Sequence, residues 1–281
     1  MSEEKRDDSS MIDAIKAGIT VRNFFYADGY FGHKKSCCNP KMLPYIYGTT
    51  NNGTHVIDLH KTVALFKRAL GFIESVAARK GRILFVGSKP QAVETVEHES
   101  KRCGQYHVTR RWLGGTLTNW STISSNIKIL ASNERKLERV KKNLEYMTKK
   151  EYFCLIRKQQ KLELDLAGIR NMGGMPDLLF VVDINKEYIA VNEAASLGIP
   201  VVALVDTNTD PDLIKYPIPC NDDSIKVIKY CCENVANAVL AGIEKDLSSR
   251  AIQQSKKKRA NISNKTEGDH DDQNVSSDSA K

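Results

Sequence analysis

The run RILFV at Arg82–Val86 is the first of three short apolar segments that decide the fold. The other two are LLFVV at Leu178–Val182 and VVALV at Val201–Val205. Each is followed by a turn or helix signal, and continuous apolar runs of this length are typical of parallel strands buried on both faces. The three segments therefore predict the centre of a parallel β-sheet.

Helical patterns alternate with these strands. Apolar residues recur at helical spacing in Lys61–Ala78, and further helical segments are predicted at Gln91–Cys103, Tyr188–Leu197 and Ile225–Leu247. Helices that alternate with parallel strands cover both faces of the sheet. The sequence thus predicts an α/β fold, with a Rossmann-like, doubly wound and mainly parallel sheet.

The pattern changes between residues 120 and 170. Leucine or isoleucine recurs every seven residues from Ile123 to Leu144 and again from Leu155 to Ile169. The intervening Thr148–Glu151 has the sequence of a capping box, which starts a new helix. We expect an inserted antiparallel helical hairpin whose first arm, about 25 residues at ~1.5 Å each, projects from the sheet as a coiled coil.

Four segments make up the expected organisation. Residues 1–119 form the first part of the α/β domain with an N-terminal RNA-facing extension, 120–170 the hairpin, 171–247 the second part and 248–281 a tail. The tail is polar, contains SKKKR and then turns acidic without periodicity, which predicts disorder. Its basic run has two open interpretations, an arm that clamps RNA or a solubilising end.

Charge is distributed unevenly along the chain. The net charge is +8, but residues 1–170 contain 30 Lys and Arg against 17 Asp and Glu, whereas residues 171–247 contain 5 against 12. A basic part joined to an acidic part favours one face turned toward a polyanion. No basic amphipathic helix with a wide aromatic face accompanies the charge, so nucleic acid is a better expectation than a membrane surface.

Targeting and metal signals are weak. No run approaches the ~18 apolar residues of a membrane span, and the acidic N-terminus resembles neither a signal nor a transit peptide, so we expect a cytoplasmic protein. The seven cysteines lack CxxC spacing and the six histidines are scattered. Reduced structural thiols, no metal and no cofactor are therefore expected.

The run RRWLGGTLTNW at Arg110–Trp120 has a composition suited to RNA. Arginine supplies forked donors for phosphate, the glycine pair allows close backbone approach, and the hydroxyl and amide groups can bond sugar or phosphate oxygens. For its apolar members the favoured interpretation is simpler, a turn packed into the core. These members are Trp112, Leu113, Leu117 and Trp120.

An enzyme is the alternative from another class. Gly87-Ser88-Lys89 follows a strand and precedes a helix, where phosphate can bind free amides, although the run lacks the P-loop pattern. Asp183 and Asp206 lie at or just beyond strand ends and imitate an acid/base cluster, yet turn and cap roles are favoured for them and for Asp210 and Asp212. Fold alone does not exclude such an enzyme.

Taken together, the motifs resemble the family of the bacterial-type second protein of the small ribosomal subunit. The resemblance extends from about Phe31 to Leu247. The motifs are FGH at 31–33, NPKMLPYIYG at 39–48, HVIDLHKTV at 55–63, ILFVGSK at 83–89, RRWLGGTLTNW at 110–120, MGGMPDLLFVVD at 172–183, LGIPVVALVDTNTDP at 197–211, YPIP at 216–219 and NDD at 221–223.

The resemblance implies a structural protein without catalytic activity. Members of that family bind small-subunit ribosomal RNA, join late in assembly between head and body, and help dock the large multi-OB-fold protein that captures mRNA. It implies one copy per ribosome, a ribosome-bound location in the cytoplasm, neighbouring small-subunit proteins as partners, and no membrane or DNA partner.

The resemblance also implies which residues face RNA. The sequence departs from the family pattern at Tyr30, Cys38 and Cys220, where the family has His, Trp and Gly, and the loss of a tryptophan removes a stacking surface. The hairpin cations are the weaker members of the set. The candidates are His33, Lys34, Lys35, Lys41, Arg110, Arg111, Thr116, Thr118, Asn119, Lys128, Arg135 and Arg139.

Overall fold

The computed structural model describes the backbone of residues 11–142 and 146–271, and side chains as far as Arg250. Three short 3-10 turns, at Lys35–Cys37, Pro40–Tyr45 and Ala167–Ile169, accompany the regular elements. In chain order these elements are α1 (Met11–Gly18), α2 (Val21–Tyr26), β1 (Phe31–Lys34), β2 (Ile46–Thr49), β3 (Thr54–Ile57), α3 (Leu59–Ala78), β4 (Ile83–Val86), α4 (Pro90–Arg102), β5 (Tyr106–Val108), α5 (Trp120–Lys141), α6 (Lys149–Leu166), β6 (Leu178–Val182), α7 (Tyr188–Ser196), β7 (Val201–Val205), β8 (Tyr216–Pro219) and α8 (Ile225–Asp271).

The main sheet has five parallel strands in the order β5-β4-β6-β7-β8. Every residue of β4, β6 and β7 is buried, which confirms the three strands predicted from the apolar runs. The sequence pattern did not predict the two edge strands. β5 has only three residues, and β8 contains Pro217 and Pro219, which an edge strand tolerates because only one side must supply ladder hydrogen bonds.

Helices cover both faces of this sheet, as the predicted doubly wound α/β fold requires. Phe85, Phe180 and Leu204 pack on one face against α1, α3, α4 and α8. Val86, Val181 and the alternate residues of β7 pack on the other against α7 and the segment around Trp112. A second, small antiparallel sheet has the order β1-β3-β2.

The two ends of the parallel strands define two surfaces. We call the end where the strands finish the carboxyl edge; it carries the loops that begin at Gly87, Thr109, Asp183, Asp206 and Cys220. The end where they start is the amino edge. Because β5 and β6 lie on opposite sides of β4, the order reverses there, and ligand sites in such sheets lie at the carboxyl edge of the reversal.

The predicted capping box before α6 is confirmed. The Thr148 hydroxyl accepts the Glu151 N–H at 3.4 Å and the Glu151 carboxylate accepts the Thr148 N–H at 3.0 Å. α5 and α6 contact each other, and Ile123 and Leu130 are buried. The heptad position at Leu144 lies outside the described residues, and projection of the pair as a coiled coil stays a prediction.

The last helix departs from the expected disorder. α8 continues through residues 248–271, whereas the sequence analysis expected disorder from 248 onward. No glycine or proline interrupts residues 243–267, and Arg250 pairs with Asp246 one turn earlier at 2.9 Å. The rest of the expected tail, 272–281, lies outside the described residues. Among the helices described, none is long and apolar enough to cross a bilayer.

Candidate nucleic-acid interface

The loop that carries Arg110 and Arg111 is folded around one buried carboxylate. Glu193 of α7 is 8% exposed and accepts the Trp112 indole N–H at 3.1 Å. It also accepts the backbone N–H groups of Gly115 at 2.7 Å, Leu117 at 2.9 Å and Thr118 at 3.1 Å. Together with the Thr118 hydroxyl at 3.2 Å, five donors from a seven-residue stretch therefore converge on one side chain and fix the loop from inside.

Glu193 keeps its charge in this site. Burial opposes ionisation, but hydrogen bonds from Trp112 and the backbone outweigh it and lower the pKa of the carboxyl. The sequence analysis missed Glu193, which is separated from the loop by more than 70 residues. One signal was available: a glutamate among Ala190, Val191 and Ala194 on a buried helix face must find partners.

The apolar residues of the loop pack as predicted, but one hydroxyl was assigned wrongly. Trp112 and Leu117 are buried in the core. Thr116 is only 3% exposed and its hydroxyl donates to the Leu113 carbonyl, so it stabilises the turn and does not reach the surface. The exposed Thr118 donates its hydroxyl to Glu193 at 3.2 Å, which leaves that oxygen only as an acceptor.

Asn119 is exposed at the start of α5. Its side-chain oxygen accepts the hydroxyls of Ser121 at 3.2 Å and Thr122 at 2.8 Å. The Asn119 oxygen is thus held by neighbouring hydroxyls and makes no capping hydrogen bond to α5, and the NH₂ remains available at the surface.

Arg110 and Arg111 are exposed beside an open cleft at the carboxyl edge. The cleft measures about 390 Å³ and also contains Lys186 and Ile189. Lys186 donates its ammonium to the Ser88 carbonyl at 2.9 Å. Neither arginine has an ion-pair partner within the described ranges, so their guanidinium groups give this cleft a positive charge.

His33 also lies at the carboxyl edge, but it is turned toward carboxylates. A Cβ on Gly32 would come within 2.6 Å of the Thr207 methyl, so this glycine lets β1 approach the loop after β7. There His33 Nδ1 lies 3.0 Å from Asp206, and Nε2 lies 3.7 Å from Asp223. Its close pairing with the Asp206 carboxylate raises the pKa of His33 to about 9 against the effect of burial, so the ring is charged at neutral pH.

Lys89 belongs to the Gly87–Lys89 run that would bind a phosphate in the enzyme alternative. Its ammonium lies 2.8 Å from Asp222, 2.6 Å from Asp223 and 3.4 Å from Asp183. Burial opposes its charge, but the hydrogen bonds to Asp222 and Asp223 raise the pKa of Lys89 above its ordinary value. The ammonium is therefore committed to the protein.

The backbone donors beside Lys89 are committed as well. The Ser88 N–H donates to Glu187 at 2.9 Å, and the Gly87 N–H donates to the Val108 carbonyl at 3.0 Å. The phosphate cradle required by the enzyme alternative is thus filled by the protein's own groups.

One group of side chains among the described residues has the spacing of cation ligands. One ligand atom each from His33, Asp206 and Asp223 lies within 4.8 Å of the others. Burial, with repulsion from Asp183 and Asp206, raises the pKa of the adjacent Asp222 to about 7. No spacing in the sequence indicates this group, because its members come from β1 and from two separate loops.

The remaining candidates differ in whether their charge is neutralised. Lys34 and Lys35 are exposed without an ion pair in the described part of the chain. Lys41 is exposed but paired with Asp210 at 2.7 Å and Asp212 at 2.6 Å. The hairpin candidates are exposed on α5: Lys128, Arg135 and Arg139.

Comparison with known proteins decides the family. The model of the family described as ribosomal protein S2 matches residues 25–242. The chain belongs to the ribosomal protein S2 family. That match includes both parts of the α/β domain and the helical pair between them.

Curated relatives agree with this membership. The chain is 50% identical over 232 residues to the small ribosomal subunit protein uS2 of Neorickettsia sennetsu, which covers 83% of this chain and 77% of the relative. It is 50% identical over 235 residues to the small ribosomal subunit protein uS2 of Wolbachia pipientis subsp. Culex pipiens, and 47% identical over 234 residues to that of Rhodospirillum centenum. These cover 83% of this chain and 86% and 88% of the relatives.

Membership of the S2 family gives the broad role. The protein is a structural component of the small ribosomal subunit that takes part in translation, and it is not an enzyme. This agrees with the filled phosphate cradle at Gly87–Lys89.

Proposed function

We propose that this S2-family protein binds small-subunit ribosomal RNA through the carboxyl edge, chiefly through Arg110 and Arg111. The observation that carries the proposal is that Glu193 fixes their loop using indole and backbone donors and leaves both guanidinium groups unpaired within the described residues. Unpaired forked donors at a positively charged cleft suit phosphate oxygens.

Other cations extend the proposed interface. Lys34 and Lys35 add unpaired charge from the neighbouring small sheet, and Asn119 adds an amide beside the arginines. His33 and Lys41 contribute less because carboxylates already hold them. Three cations on α5 form a weaker extension: Lys128, Arg135 and Arg139.

The proposed role includes late assembly between head and body and docking of the large multi-OB-fold protein that captures mRNA. A single copy would act in each ribosome, with ribosomal RNA and neighbouring small-subunit proteins as partners, in the cytoplasm. Exposed rings of Phe25, Tyr26 and Phe31 beside the carboxyl edge support a protein contact there, since a wet surface rarely gathers large apolar rings.

The first experiment replaces both arginines. R110A/R111A should flatten the salt dependence of binding to transcribed small-subunit RNA, with the slope of log K against log salt falling by ~1.5, because each lost phosphate contact removes ~0.7 to ~0.9. K101Q/K229Q is the control, with the same charge loss at exposed sites on α4 and α8. An unchanged slope in R110A/R111A would remove the arginines from the interface.

Sedimentation tests the cellular role. The protein should migrate with small subunits in a magnesium-containing sucrose gradient at moderate salt, near one copy per particle, and leave them at high salt. Recovery only at the top of the gradient would contradict the proposed ribosomal RNA binding.

A further inference from the structure

The amino edge carries a second group of basic and aromatic side chains, far from the proposed RNA site. Phe72 of α3 and Tyr216 of β8 stack with ring centroids 4.4 Å apart and planes 21° from parallel. The Arg68 guanidinium lies 5.7 Å from the Tyr216 ring centroid, and the Lys215 ammonium lies 5.7 Å from that of Phe72. Both cations are exposed, and their remaining donors are free to meet an anion.

The same surface continues into an open cleft. The cleft has a volume of about 500 Å³ and is bordered by Phe72 on one side and by Arg79, Lys80 and Arg82 on the other. Arg79 donates one N–H back to the Ser75 carbonyl and keeps its other donors exposed. The ring of Phe72 therefore joins the stacked pair to a basic cavity large enough for a nucleotide.

The carboxylates near this surface are already occupied. Asp177 accepts the Arg82 backbone N–H at 2.8 Å, and its carboxylate faces the Arg82 guanidinium. Glu74 pairs with Lys245 at 3.0 Å. Four exposed cations of this surface therefore have no ion-pair partner in the described parts of the chain. We call them the amino-edge cations: Arg68, Arg79, Lys80 and Lys215.

The last helix adds basic residues at the amino edge. α8 passes the end of α3 where Gly242 packs against Glu74, Ala77 and Ala78. It then continues to Asp271, and its sequence has SKKKR at 255–259, beginning ten residues or ~15 Å beyond Lys245. A basic segment thus leaves the domain from the amino edge.

We infer that the amino edge is a second RNA-binding surface. The amino-edge cations hold backbone phosphates, and the cleft beside Phe72 accepts a base or sugar. Unpaired cations interleaved with aromatic rings are the chemistry of nucleic-acid binding, whereas an acidic peptide would need the cations alone. Because the two edges are opposite ends of the sheet, the protein would connect two RNA segments. This inference rests on the proposed RNA-binding function.

The first test compares salt slopes. Full-length R68Q/R79Q/K215Q should bind transcribed small-subunit RNA with a slope lower by ~2 than the parent protein. K150Q/K158Q/K161Q loses three charges at exposed positions on α6 that also lack an ion pair among the described residues, and should change the slope by less than half as much. Equal changes in the two triple variants would overturn the inference, because net charge alone would then explain them.

The second test asks what covers the surface. Acetylation of Lys80 and Lys215 by an amine-reactive reagent should fall at least ~5-fold when the protein is in small subunits, while the exposed Lys150 of α6 serves as the reference. Brief ribonuclease treatment should restore the reaction. Unchanged acetylation in subunits would overturn the inference. Protection that survives ribonuclease would also overturn it, because a protein partner would then cover the surface.

The two proposals fail separately. If R110A/R111A lowers the salt slope and R68Q/R79Q/K215Q matches its control, only the amino-edge surface is wrong. If neither variant lowers the slope, the proposed RNA-binding function fails with it.

Discussion

Two neighbouring regions of the carboxyl edge bury carboxylates in opposite ways. Glu193 is satisfied by an indole, three backbone N–H groups and the Thr118 hydroxyl, all of them neutral donors. The cluster of Asp183, Asp222 and Asp223 is satisfied by the ammonium of Lys89. The two regions lie at the same sheet edge, yet the first holds its carboxylate without a cation and the second pairs its carboxylates with the partly buried Lys89.

The difference teaches which cations can serve a ligand. Because neutral donors hold Glu193, Arg110 and Arg111 stay unpaired in the described part of the chain and are available to phosphate. Lys89 and His33 belong to the carboxylate cluster and are unavailable. Formal charge along the sequence therefore overstates the charge that the carboxyl edge can offer to RNA.

The largest expected effect comes from removing Glu193, the carboxylate that neutral donors hold. E193A leaves the Trp112, Gly115, Leu117 and Thr118 donors without their acceptor, and the free energy of unfolding should fall by ~3 to 4 kcal/mol. Urea denaturation measures the fall. E193Q, which keeps one acceptor oxygen, should lose about half as much. A loss below ~1 kcal/mol in E193A would show that Glu193 does not hold the loop.

Loss of Lys89 from the aspartate cluster should lower the free energy of unfolding by an amount that depends on pH. K89M removes the ammonium that lies 2.8 Å from the buried carboxylate of Asp222, and should lower the free energy of unfolding by ~3 kcal/mol at pH 8. The pKa of Asp222 is about 7 in the folded protein, above its unfolded value, so the buried carboxyl is ionised and needs a counter-charge above that pH, and is neutral well below it. The loss in K89M should therefore shrink toward pH 5.

Exposed cations provide the control for that experiment. R111M removes an unpaired cation and should change the free energy of unfolding by less than ~0.5 kcal/mol at either pH. Equal losses in K89M at pH 5 and pH 8 would contradict the role given to Asp222.

A smaller effect separates His33 from the RNA-facing set. Its folded pKa of about 9 lies above the unfolded value, so its contribution to stability is complete below pH ~6.5 and disappears as pH rises through 9. H33N should cost on the order of 1 kcal/mol at pH 6, after allowance for partial exposure, and nearly nothing at pH 10. Thermal unfolding at both pH values measures this; a constant difference would rule out the charged pair with Asp206.

The smallest effect should come from releasing Lys41. D210N/D212N removes its two exposed partners and should change the free energy of unfolding by less than ~0.5 kcal/mol, since surface ion pairs contribute little. Affinity for small-subunit RNA should rise by ~2-fold or more at low salt. E97Q/E233Q releases lysines on other faces and should raise it less. No difference between the two variants would exclude Lys41 from the interface.

Local patterns in the sequence were sufficient for much of the fold. The strands at Leu178–Val182 and Val201–Val205 have the predicted bounds, and the capping box at Thr148 has the predicted hydrogen bonds, because periodicity and capping depend on residues a few positions apart. The short edge strand β5 and the proline-containing β8 carried no such pattern. The helix over residues 248–271 was also missed, since its polar composition lacks an apolar stripe.

The candidate site was predicted less completely. The sequence singled out Arg110 and Arg111 by type and setting, and it separated the core tryptophan of the loop from them. It assigned Thr116 to the surface wrongly and gave no sign that His33 would meet Asp206. The error at His33 concerns a partner distant in the sequence, and the error at Thr116 concerns burial, which composition does not reveal.

The sequence by itself determined the α/β class, the central strands and the family, because apolar periodicity and motifs are properties of neighbouring residues. Only the tertiary structure decided which charges are free. Ion pairs and hydrogen bonds act over about 3 Å, and Glu193 reaches its loop, as Lys89 reaches Asp222, only after the sheet has brought distant parts of the chain together. The surface offered to RNA is thus set by which cations folding leaves unpaired.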